Sequence, residues 1–110
     1  MSILRPDRRK DRGRQGRQYM DFVSQLPCLA CSRFGLRQLS RTEVAHVGPH
    51  GLGAKSSNIN TIPLCTYHHT EGPDAYHRGV ARFWARMGFT WQEAVDGLKA
   101  IFVGRGGTLN

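Results

Sequence analysis

The chain is poor in acidic residues, in cysteine and in long apolar runs, and each shortage excludes something. Only 8 Asp and Glu stand against 16 Lys and Arg in 110 residues, a formal charge of +8, with an isoelectric point near 10.3. That imbalance favours a polyanionic partner, nucleic acid first and an anionic membrane surface second. No apolar stretch approaches the roughly 20 residues that span a bilayer. The opening segment, MSILRPDRRKDRGRQGRQ, lacks the hydrophobic centre of a secretory leader. With 3 cysteines, full pairing within the chain is impossible, and Cys28 and Cys31 form a C-x-x-C pattern that in a cytosolic protein points to metal or redox chemistry. A cytoplasmic protein is expected. The length suits one domain with a modest core, the size at which zinc often supplements packing. No internal repeat is visible.

What is present falls into three stretches. Residues 1–18 read as a flexible, disordered basic arm, with Arg5, Arg8, Arg9, Lys10, Arg12, Arg14 and Arg17 against only Asp7 and Asp11, able to order on a phosphate backbone. Residues 19–103 read as the folded domain. It opens with YMDFVSQL, apolar at helical spacing and stopped by Pro27. RTEVAHV at 41–47 reads as a strand, GPHGLGAKSS at 48–57 as a loop and NINTIPL at 58–64 as a second extended stretch. A helix is expected to start near Thr66. RGVARFWARM at 78–87 carries an apolar stripe and ends at Gly88. Thr90 and Glu93 then make a capping box for a last helix. Residues 104–110 read as a frayed tail.

Cys28-x-x-Cys31 and Cys65-x-x-His68 are two half-sites with the ligand types and spacing of structural zinc. Bringing a knuckle to the first turn of a helix gives a treble-clef arrangement, so the expected fold is α+β, a small zinc-stapled core with flanking helices. Redox chemistry at Cys28 and Cys31 would need a surrounding βαβ pattern, which is missing. This leaves His69, His46 and Asn60 without a structural task. A strand histidine, an asparagine on the return strand and a histidine at a helix start can converge to hold a divalent cation and activate water beside a phosphate.

The order CLAC, EVAHV, N-T-I-P-L-C-T-Y-H-H resembles the HNH endonuclease family, whose core is a ββα-metal fold. With the glycine-rich loop and the GPDAYHRGVARFWARMG segment, it is similar to a phage and prophage branch that includes recombination-enhancing nucleases working with RecA. The resemblance covers about residues 26 to 88. It implies a metal-dependent endonuclease acting on DNA in a bacterial host cell, with a recombinase such as RecA as partner and no small-molecule cofactor. His46 matches the general base and His69 a ligand of the catalytic metal. Asn60 matches the residue that orients the base or loop or helps hold the metal, with Asn58 the neighbouring alternative.

The chain departs from the family at Ala45, where many members carry a second metal ligand just before the base. His77, His46 itself or His50 could compensate, and His77 is favoured. The cation could be Mg²⁺, Mn²⁺, Ni²⁺ or Zn²⁺, histidine ligands arguing for a transition metal. Arg33, Arg37, Arg41, Lys55 and the arm residues Arg8, Arg9, Lys10 and Arg12 are candidate phosphate contacts. Two other classes stay open: a non-catalytic zinc module that binds nucleic acid, and a zinc-stapled protein-interaction module.

Overall fold

The architecture was determined as a computed structural model. It describes residues 8–48 and 59–109, with side chains described from Gly13 onward. Lys55, His50, Asn58, most of the 48–57 loop and the first residues of the basic arm lie outside the described residues, as do the side chains of Arg8, Arg9, Lys10 and Arg12.

Helix α1 spans Arg8–Ser24. It therefore starts well before the expected Tyr19 and takes in the part of the arm from Arg8 onward. The reason is local. Arg, Lys, Gln and Met are good helix formers, and the segment holds no proline. Its C-terminal half buries Tyr19 and Val23 in the core. Helix α2, Leu29–Phe34, was not expected from the sequence. The Cys28 sulfur accepts from the Cys31 amide and serves as its N-cap, while Gly35 at φ 66° closes it in the left-handed region.

Strands β1 (Thr42–His46) and β2 (Thr61–Cys65) pair antiparallel, Glu43 opposite Leu64, Ala45 opposite Ile62 and His46 opposite Thr61. The Val47 amide donates to the Asn60 carbonyl. Alternation then makes Val44–Pro63 a non-hydrogen-bonded pair, where the missing N–H of Pro63 faces away from β1 and costs no ladder bond.

After β2 the chain makes one π-helical turn, Tyr67–Glu71, closed by the Gly72 amide on the Tyr67 carbonyl at 2.8 Å. The regular helix expected from Thr66 is thus a single wide turn. Gly72 and Pro73 end it. A β-carbon on Gly72 would lie 2.7 Å from the Tyr67 ring, so that ring also needs glycine there. A short 3-10 turn, Tyr76–Arg78, leads into α3 (Val80–Met87), and Gly88 at φ 83° ends it. Helix α4, Trp91–Gly104, starts in the expected capping box, Thr90 and Glu93 exchanging bonds of 3.1 and 3.0 Å.

The core joins α1, the hairpin, α3 and α4 through Tyr19, Val23, Ile62, Leu64, Phe83, Met87, Val95, Leu98 and Phe102. Tyr19 and Phe102 meet edge to face at 5.3 Å. The expected frayed tail is partly held, since Leu109 packs on this core. Among the described residues, no helix is long and apolar enough to cross a membrane.

Candidate metal centre and active site

The turn after β2 divides its two histidines between two clusters. His68 is buried and points back to the knuckle; His69 points across to β1.

In the first cluster, Cys28, Cys31, Cys65 and His68 place one donor atom each within 4.8 Å of one another, and all four are buried. Tetrahedral zinc, with bonds near 2.3 Å to sulfur and 2.0 Å to nitrogen, has S···S edges of about 3.8 Å and S···N edges of about 3.5 Å. The Cys31 and Cys65 sulfurs are 3.8 Å apart. His68 Nδ1 lies 3.6, 3.4 and 3.3 Å from the sulfurs of Cys28, Cys31 and Cys65. These four donors fit a zinc ion. Burial pushes the Cys28 thiol up and the Cys31 thiol up to about 12, and it holds His68 toward its neutral, ligating form. A metal must displace protons to bind here, which makes its affinity depend on pH.

The second cluster is more open. His69 Nδ1 lies 2.9 Å from Glu43 Oε1, and His69 Nε2 lies 3.1 Å from His77 Nε2. Their rings are 4.8 Å apart. The hydrogen bond from His69, together with one from the Thr66 side chain, holds the Glu43 carboxyl below the usual carboxylate range. Nitrogens bound to one cation at about 2.1 Å lie about 3.0 Å apart at a right angle and about 3.4 Å apart in a tetrahedron. The His69–His77 contact is a hydrogen bond between the rings, and its 3.1 Å length also falls between these limits.

His77 is carried on the 3-10 turn, and the loop before it is pinned from that turn and from α3. Arg78 donates to the Thr70 carbonyl at 3.3 Å and Arg82 to the Pro73 carbonyl at 3.1 Å. Arg86 meets the Asp74 carboxylate at 2.8 Å.

His46 and Asn60 stand at the other end of the hairpin. His46 is three residues beyond Glu43, so alternation sends the two side chains to opposite faces. Asn60 lies one residue past the His46–Thr61 pair, and its side-chain oxygen accepts from Lys99 of α4 at 3.5 Å. Arg33, Arg37 and Arg41 are exposed. Arg33 is fixed by a 2.9 Å bond to the Met87 carbonyl.

Sequence reasoning missed Glu43, Lys99 and the arginines of α3. Glu43 was findable. It lies two residues before Ala45, on the same face by strand periodicity. Lys99 and the arginines carried no such signal, because their positions depend on how distant helices pack.

A family model described as "Recombination enhancement, RecA-dependent nuclease" matches residues 14–108. No curated protein and no solved structure matches the chain.

Proposed function

Since the chain belongs to the recombination-enhancement, RecA-dependent nuclease family, we propose that it is a metal-dependent endonuclease of the HNH type that hydrolyses DNA phosphodiester bonds. The observation that carries this reading is the 3.1 Å approach of His69 Nε2 to His77 Nε2 beside the Cys/His cluster. In this reading the core is a treble clef, with residues 19–103 as the nuclease domain. The four buried donors hold structural zinc, and His69 and His77 hold the catalytic ion.

That ion would supply Lewis-acid stabilisation of the charge that develops on the scissile phosphate. The family role of His46 is to take the proton of the attacking water on an imidazole nitrogen. β1 carries it three residues from Glu43 and on the opposite face, so the His46→Ala arm of the experiment below tests whether it shares a site with His69. Asn60 holds the strand end that carries His46 and keeps Lys99 nearby. Arg33, Arg37, Arg41, Lys55 and the basic arm, with Arg8, Arg9, Lys10 and Arg12, contact phosphates without reading sequence. A recombinase partner, a phage or prophage origin and a bacterial cytoplasmic setting belong to the same proposal and follow the family.

Ala45 is fully buried and offers no ligand, which favours one second reading, a zinc-containing module that binds nucleic acid without cutting it. One experiment separates the two. Supercoiled plasmid and single-stranded circles are incubated with the protein and Mg²⁺, Mn²⁺, Ni²⁺ or Zn²⁺, with and without recombinase. Nicking that disappears in His46→Ala and His69→Ala supports the nuclease. Salt-sensitive binding without cleavage in every condition, by a folded zinc-loaded protein, supports the binding module.

A further inference from the structure

We propose that Glu43 is a positioning residue that locks the tautomer and orientation of His69 and so takes over, indirectly, the contribution that β1 lacks at Ala45. This rests on the two-imidazole site proposed above.

A carboxylate only accepts hydrogen bonds, so the 2.9 Å contact places the His69 proton on Nδ1. In the neutral ring, Nε2 then carries the lone pair. In the metal-free protein that lone pair accepts the 3.1 Å hydrogen bond of His77 Nε2, a bond that a shared cation would replace. Fixing one ring nitrogen by a carboxylate so that the other presents its lone pair is how metal-binding histidines are oriented and made more basic. Glu43 is badly placed to ligate the same ion itself, because its oxygen sits on the Nδ1 side of the ring while His77 sits on the Nε2 side.

Strand geometry explains why Glu43 has this task. Residues 43 and 45 leave the same face of β1. Ala45 is buried and apolar, so the polar group that this face contributes to the site has moved two residues along the strand. Acting from there, it grips a ligand that comes from the turn. The alternative is an ordinary surface ion pair. The side chains of His69 and Glu43 are 17% and 30% exposed, and such a pair contributes little to stability. Its loss would leave the metal affinity unchanged.

The test uses the full chain loaded with zinc. Ni²⁺ binding is measured by calorimetry for the wild type, Glu43→Ala, Glu43→Gln and His69→Ala, with zinc content and thermal melts checked for each. Long-range proton–nitrogen spectra of the metal-free imidazoles report which ring nitrogen of His69 is protonated. Expected are a 10- to 100-fold loss of Ni²⁺ affinity in Glu43→Ala, a smaller loss in Glu43→Gln, whose amide oxygen still accepts, and a shift of His69 away from the Nδ1–H form in Glu43→Ala. If His69→Ala abolishes Ni²⁺ binding and Glu43→Ala leaves both affinity and tautomer unchanged, the inference about Glu43 falls alone. If His69→Ala binds Ni²⁺ like the wild type, the two-imidazole site falls and takes this inference with it.

Discussion

His68 and His69 are neighbours on one turn, yet they belong to two different chemical settings. His68 faces three sulfurs in a buried pocket. His69 faces a carboxylate on one side and an imidazole on the other, in a half-open position. The first setting is closed: four donors complete a tetrahedron and leave no place for substrate. The second has two donors and room around them. Structural zinc sites are closed and catalytic ones keep open positions. In the proposed function, this difference separates holding the fold from acting on a substrate, one residue apart.

The largest expected effect breaks the first setting. Removing zinc with a chelator, or substituting Cys31→Ser, is expected to unfold the domain, because zinc binding to such donor sets contributes on the order of 10–16 kcal/mol at neutral pH. Circular dichroism and zinc content measured together check this; a chelated protein that keeps its melt would erase the distinction between the settings. Next comes the pair itself. His68→Ala is expected to lower the melting temperature sharply. His69→Ala should leave it nearly unchanged while cleavage falls by more than about 100-fold. Equal losses of stability in both variants would show that the turn acts as a single unit.

Two smaller effects probe the scaffold away from both settings. Thr90→Ala removes the cap of α4 and should cost about 1 kcal/mol in denaturant unfolding, with zinc content unchanged. The Tyr19 hydroxyl is buried without a hydrogen-bond partner among the described residues, and burial pushes its pKa from 10.0 up to about 12. Between those values the unfolded chain ionises first, so the folded state loses stability as pH rises through that window. Tyr19→Phe should remove this alkaline slope and leave stability at neutral pH equal or higher by about 1 kcal/mol. Urea melts at pH 7 and pH 10.5 read both quantities.

The sequence showed what depends on local spacing. The two ligand pairs, the capping box, the strand pair and the glycine stops are short-range patterns, and the four buried donors do come together. Resemblance pointed to His77 as a partner of His69 in holding a metal; the structure brings the two Nε2 atoms within 3.1 Å, and their role as ligands belongs to the proposal. Other features were set by the rest of the fold. Helix α2 is six residues long and is capped by a cysteine sulfur, a signal that periodicity does not carry. The basic arm looked disordered because it has almost no apolar residues, but its helix propensity and the packing of Tyr19 and Val23 extend α1 back to Arg8. The wide turn replaced a helix because Gly72 and Pro73 follow within a few residues.

The arginines of α3 carry a consequence for how such a protein can change over time. Arg82 and Arg86 tie the loop between the two open-site histidines to a helix that is itself seated in the core by Phe83 and Met87. That helix works as a ruler for the spacing of His69 and His77. A conservative exchange deep in the core, far from any ligand, slides the ruler and alters the spacing. Drift that looks silent by composition is then heard at the His69–His77 pair, and the core and that pair have to be inherited together.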